Sequence, residues 1–334
     1  MNNCIKSIVA VGMIAVMNQI AVADCGSITV AEMNWPSAEL MANVDKMILE
    51  QGYGCKVELI PGATMTTFAS MNEKGQPDVA SELWINAVRE PLQKAFEEGR
   101  LHSANGGPIT GLGEGWWIPK YTQENHPKLK TVLDILDRPD LFPYAEDSSK
   151  GAFVGCPAGW GCQLVNANLF RAFGMKEKGW VLVDPGSAAG LDGSMAKAVE
   201  RRQNWLGYYW SPTSMIGKYN MQPVDFGVPF IGAEHWDGCI AKSEQECEDP
   251  KPSAWIVSEV HTVITDSFKQ RDSAAVSYLN NRVFPGDIMN NMLVHMTENQ
   301  VGGDDAAIDF LLQYEDTWSQ WVDNEIATKV RQSL

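Results

Sequence analysis

SITVAEMNWPSAELMANVDKMILEQGYGCKVELI, residues 27–60, decides the fold. It opens with a β-rich run at 27–33, continues as a helical segment at 38–51, breaks at Gly52-Tyr53-Gly54 and resumes as a second strand at 56–60. Pro61-Gly62-Ala63-Thr64 then leads into a helix whose first turn can present free backbone amides. A third short strand follows at 78–84 (DVASELW), and a helix at 87–98 ends at Gly99. Strands alternating with helices of this length predict a parallel α/β sheet.

Beyond residue 115 the pattern starts again. WWIPKY at 116–121 opens a polar, Pro-rich stretch, after which strands are expected at 152–154, 180–183 and 206–210. Helices are expected between them at 163–173 and 193–202. Past Asp225 comes an irregular loop, a strand-rich stretch at 253–263 and a helical remainder. In the last helix Leu311, Tyr314, Trp318 and Trp321 recur at steps of three or four, so these two tryptophans read as core. Two α/β regions, the second inserted into the first, predict a hinged two-lobe molecule with its ligand cleft at the carboxyl ends of the strands. Residues 24–118 with about 225–334 are assigned to one lobe, and about 119–224 to the other.

Residues 1–23 read as a secretory signal. Lys6 supplies the positive start, 8–16 the apolar stretch, and Ala21-Val22-Ala23 the cleavage site before Asp24. Asn18 and Gln19 keep the apolar run well short of the ~20 residues a spanning helix needs. An exported, periplasmic protein is expected. Removing the signal takes Lys6 and Cys4, so six cysteines remain and the mature charge is one unit more negative than −16. Six cysteines allow 15 disulfide connectivities, of which spacing favours Cys25–Cys55, Cys156–Cys162 and Cys239–Cys247. The acidic balance argues against nucleic acid or an anionic membrane surface as partner.

Enzyme signatures are missing. The chain has no Walker loop, no Gly-x-Gly-x-x-Gly after a strand, no His-Glu-x-x-His and no Gly-x-Ser-x-Gly. Gly111-Leu112-Gly113-Glu114-Gly115 forms a loop without the third glycine of a dinucleotide site, and five histidines stand scattered. Cys162 reads as half of a disulfide rather than a nucleophile. The oxygen-rich stretch from Asp184 to Asp192 makes weak calcium candidates of those two residues. A turn followed by a helix capped by Asp192 or Ser194 is the plainer reading, and no cofactor is expected.

The aromatic pattern carries the function. Seven of the twelve tryptophans fall in segments where elements end and the chain turns: Asn34-Trp35-Pro36, Glu82-Leu83-Trp84, Gly115-Trp116-Trp117, Gly159-Trp160-Gly161 and the 205–210 stretch holding Trp205 and Trp210. Indole faces converging on one point form a box for a cation that cannot donate hydrogen bonds, such as a methylated ammonium. Glu114 is the candidate counter-charge. If the chain is extended there, Glu114 and Trp116 share one side and Trp117 takes the other. The expected cage is Trp35, Trp84, Trp116, Trp160, Trp205 and Trp210 with Glu114, while Trp117, Trp180, Trp236 and Trp255 are expected to be packing.

These residues carry a resemblance. Gly159-Trp160-Gly161-Cys162, Tyr208-Tyr209-Trp210-Ser211-Pro212, the 61–64 turn and the 78–84 strand are similar to the periplasmic substrate-binding proteins of glycine betaine/proline-type ABC transporters. The resemblance implies two α/β lobes of the type II periplasmic-binding class, closing on ligand and delivering it to a membrane permease. It places Trp84, Trp160 and Trp210 in a tryptophan cage, with Trp35 and Trp205 as further walls. In the betaine-binding branch a histidine and the amides after the Gly-Trp-Gly-Cys tryptophan hold the ligand carboxylate. Here Val88 stands four residues beyond Trp84, where that branch has its histidine. The chain looks closest to the trimethylamine N-oxide-binding members, with Glu114 facing the trimethylammonium end. A monomer binding trimethylamine N-oxide first and glycine betaine second is therefore expected, with choline and dimethylsulfoniopropionate as runners-up. The rival readings are an exported enzyme of methylated compounds using the same cleft and a receptor ectodomain sensing the same ligand.

Overall fold

The structure is a computed structural model and describes residues 25–334; the expected signal segment, 1–23, lies outside the described residues. Ten strands form two five-stranded sheets. They are β1 (Ser27–Met33), β2 (Lys56–Gly62), β3 (Val79–Trp84), β4 (Leu101–Asn105), β5 (Gly113–Pro119), β6 (Gly151–Val154), β7 (Trp180–Val183), β8 (Gly207–Ser211), β9 (Met221–Pro223) and β10 (Val260–Thr265). The sheet orders are β2-β1-β3-β10-β4 and β7-β6-β8-β5-β9.

Both sheets are mixed, which corrects the parallel reading. β1 runs parallel to β2 and β3, and β6 parallel to β7 and β8. β10 is antiparallel to β3 and β4, and β5 to β8 and β9. The reason is positional. β5 and β10 are the strands reached by crossing between lobes, so each enters its sheet from the cleft end. Val260 pairs with Trp84, the last residue of β3, and Glu114 with Trp210, the next-to-last of β8, and both strands run toward the cleft. Strand–helix alternation governs direction within a lobe and is silent at a crossing.

The crossings also move the lobe boundaries. The first precedes Gly113, because all of β5 belongs to the second sheet, and so lies upstream of the expected 118. The return comes after Ile256 rather than near 225, since Trp236, Ile240 and Ile256 are buried in the second-lobe core with Trp116, Phe153 and Trp180.

Each lobe folds for ordinary reasons. Pro36 starts the Pro36–Met47 helix at a position where its missing N–H costs nothing. That helix buries Leu40, Met41 and Val44 against β1 and β3, at about 1.5–3 kcal/mol for each large side chain. The Thr64–Lys74 helix ends at Gly75, whose φ of 67° suits glycine. Under this core Asp45 and Arg282 form a fully buried ion pair, Oδ1 to Nε 2.8 Å. Tyr278 and Ser81 also donate to Asp45, each at 2.6 Å.

The 311–321 region is not one helix. It is divided between Gly303–Gln313, Glu315–Trp318 and the turn beyond. Leu311, Trp318 and Trp321 are nonetheless buried, as core packing requires. Disulfides join Cys25 to Cys55, Cys156 to Cys162 and Cys239 to Cys247. Among the described residues no helix is long and apolar enough to cross a membrane.

Candidate binding site

The cleft between the lobes closes over a cavity of ≈ 30 Å³ lined by four tryptophans of the expected cage, Trp35, Trp84, Trp160 and Trp210, together with Glu114. Trp35 follows β1 and Trp84 ends β3, so adjacent strands deliver both from the first lobe. Trp160 precedes the Gly161–Ala172 helix, and Trp210 lies near the end of β8. The indoles meet edge to face: Trp35 and Trp160 at 5.4 Å between centroids, Trp160 and Trp210 at 5.1 Å. Such pairs contribute about 0.5–1.5 kcal/mol beyond burial and fix one another's faces.

The lobes touch directly around this aromatic cluster. Trp160 donates its indole N–H to Asn34 Oδ1 at 2.7 Å, and Met65 N–H donates to Gly159 O at 3.1 Å. Gly161 lets the second lobe approach: a Cβ there would stand 2.7 Å from the Ala87 Cβ. Lys242 and Glu90 pair at 2.8 Å farther out.

Glu114 is the pocket's carboxylate. Its Oε1 accepts from the Tyr208 hydroxyl at 2.7 Å, and its Oε2 from Asn86 Nδ2 and from Ser258 at 3.3 Å. Burial pushes the Glu114 carboxyl above its usual range, against the pull of Tyr208, Ser258, Asn86 and Trp255. Behind the aromatic cluster Glu82 is fully buried, and its Oε1 accepts from Trp35 at 2.8 Å, Trp84 at 2.7 Å and Ser37 at 3.0 Å. Burial pushes this carboxyl up too, opposed by those three hydrogen bonds and by Arg282.

Two expected cage residues stand elsewhere. Trp116 is fully buried in the second-lobe core against Phe153, Phe173 and Phe226, its N–H on Asn166 Oδ1 at 2.8 Å. It shares the alternation of Glu114, but β5 runs away from the cleft, so two residues on the side chain is already below the pocket. Trp205 precedes β8 at its far end, bonded to Ser194 at 3.1 Å and covering Gly207. Trp255, expected to be packing, lines the pocket instead, beside Tyr208 at 5.4 Å. Residues 250–259 are loop rather than strand, which frees Trp255 to fold over the cleft.

Sequence reasoning also missed Tyr208 and Asn86. The first was legible from strand alternation with Trp210. The second sits in a turn and gave no signal. Among the described residues no lysine, arginine or histidine lines the pocket. Among the described residues the two calcium candidates, Asp184 and Asp192, belong to no group of three metal-type side chains. Asp184 accepts from Gly186 N–H in an exposed turn, and Asp192 accepts from the Tyr209 hydroxyl. The helix there starts at Ala188 and is capped by Ser187, so Asp192 and Ser194 lie inside it. Among the described residues the one cluster of three metal-type ligands includes the disulfide-bonded Cys25 and Cys55.

Residues 26–313 match the family described as the substrate binding domain of the ABC-type glycine betaine transport system. The chain belongs to that family. It is the substrate-binding component of such a transport system and not an enzyme, which sets aside the rival catalytic reading. The fold of this glycine betaine family recurs in solved structures. The glycine betaine/L-proline-binding protein ProX from Borrelia burgdorferi is 16% identical, with a TM-score of 0.72 over 91% of this chain and 99% of that one. A choline-binding protein in complex with choline is 14% identical, TM-score 0.73, over 92% and 98%. The lactococcal OpuAC complexed with glycine betaine is 16% identical, TM-score 0.66, over 89% and 100%. No curated protein sequence matches the chain.

Proposed function

We propose that this family member binds a compact methylated onium solute between Trp35, Trp84, Trp160 and Trp210 and hands it to a membrane permease from the periplasm. It acts as a monomer with no cofactor, and trimethylamine N-oxide is its first ligand. The observation that carries the reading is the set of four indoles around one small cavity whose only carboxyl among the described residues is Glu114. Methylated ammonium cannot donate strong hydrogen bonds, and a desolvated cation over an indole gains about 2 kcal/mol. A water needs roughly 10–15 Å³ on the scale of this cavity, so ≈ 30 Å³ favours a compact solute.

Glu114 stands at the trimethylammonium end in this reading. The N-oxide oxygen turns to the first turn of the Gly161–Ala172 helix, where backbone amides lack intrahelical partners. Glycine betaine ranks second, because its full carboxylate would have backbone amides alone, with no basic side chain among the described residues lining the pocket. Choline has one observation of its own in its favour: its net charge matches that carboxylate.

The test is calorimetric titration with trimethylamine N-oxide, glycine betaine, choline and dimethylsulfoniopropionate. Saturable binding without turnover, tightest for the N-oxide, is expected. Silence toward all four would overturn the cage, and a preference for glycine betaine would overturn the ranking.

A further inference from the structure

We infer that Glu82, which does not line the pocket, is a positioning residue that sets two of the cage walls and strengthens their hold on a cation. A single oxygen, Oε1, receives both indole N–H groups of the first-lobe wall, Trp35 at 2.8 Å and Trp84 at 2.7 Å. Ser37 adds a third donor at 3.0 Å. The two indole bonds fall in the length range of charge-assisted bonds.

The geometry has two consequences. An indole N–H lies in the ring plane, so a bond at that edge fixes the ring while leaving its faces free. Both polar edges point away from the ligand, and carbon faces line the pocket. The second consequence is electrostatic. An N–H bonded to a carboxylate leaves more electron density on the ring, and cation–π attraction depends on that density. Glu82 is fully buried, and the nearby Arg282 is committed to Asp45 at 2.8 Å. Once ionised, Glu82 therefore directs its charge into the two indoles rather than into a direct ion pair. Glu82 and Trp84 lie two residues apart on β3 and so share a face, and Trp35 joins them from just beyond the end of the neighbouring β1. Two strands and one carboxylate thus build half the cage.

This inference rests on the onium reading, and its test separates the two. Wild type and Glu82→Gln are titrated with choline and with 3,3-dimethyl-1-butanol, its uncharged carbon isostere. Glutamine keeps the acceptor oxygen and the shape but removes the charge. About a tenfold loss for choline is expected, with the alcohol changed less than about twofold. Equal losses for both probes, or no loss for choline, would overturn the inference while leaving choline binding by wild type intact. Wild type blind to choline and the rest of the panel would instead sink the onium reading. A measurement on unmodified protein guards against a variant that does not fold. In ¹⁵N-labelled wild type, two indole N–H resonances, assigned with Trp35→Phe and Trp84→Phe, should lie downfield and exchange slowly; ordinary shifts and fast exchange would also overturn it.

Discussion

Gly161→Ala should separate ligand binding from folding. The added Cβ would lie 2.7 Å from the Ala87 Cβ across the cleft and 3.7 Å from Thr64 Cγ2. Carbon atoms pack at about 3.5–4.0 Å, so the closed lobes must separate by roughly 1 Å at this point. Overfilling a packed contact costs about 1–3 kcal/mol, and in an open cleft the methyl meets nothing. The cost therefore falls on closure, and affinity for the best ligand of the panel should drop by a factor of about 5–150. Folding should not suffer, because alanine in a helix is favoured over glycine by about 1 kcal/mol. Calorimetry and a thermal melt of the ligand-free protein measure the two effects. Adding Ala87→Gly should restore affinity, since it removes the opposing methyl. Wild-type affinity in Gly161→Ala, or no recovery in the double variant, would refute the reasoning.

The two displaced classes of tryptophan should part in the same assays. Trp210→Ala removes a cage wall and should weaken onium binding about 30-fold. Trp116→Ala opens the second-lobe core and should cost about 3–5 kcal/mol of stability; a Trp116 variant that melts normally would contradict its placement. For choline, affinity should fall as pH drops through the raised Glu114 pKa, because protonation removes the counter-charge. Glu114→Gln should flatten that profile, read by fluorescence titration. Asp45, Glu82, Glu114 and Asp192 all have carboxyl groups pushed up chiefly by burial. Across the window from their ordinary values to the raised ones these four groups hold more protons in the folded chain than in the unfolded one and outnumber His261, which burial pushes down, so stability falls as pH rises. The ligand-free protein should melt at a higher temperature near pH 5 than near pH 8; the reverse order would count against burial as the dominant cause.

Local chemistry in the sequence was enough for the two α/β regions, the three favoured cysteine pairs and the tryptophans at strand ends, because alternation, spacing and turn residues act within a few positions of themselves. The same locality explains Trp35, Trp84, Trp160 and Trp210, each of which ends or precedes an element that opens on the cleft. Direction and depth were beyond it. Trp116 has the alternation of Glu114, yet it lies in the core because β5 enters its sheet from the cleft and descends from there. Trp255 reaches the pocket on a loop whose path is fixed by packing against the second lobe. Glu82 showed only as the neighbour of a tryptophan, since the bond it makes to Trp35 spans 47 residues. The strand order that brings β1 beside β3 makes a buried acid the shared acceptor of two indole N–H groups, and that order comes from non-local burial of apolar faces, which no short stretch of sequence encodes.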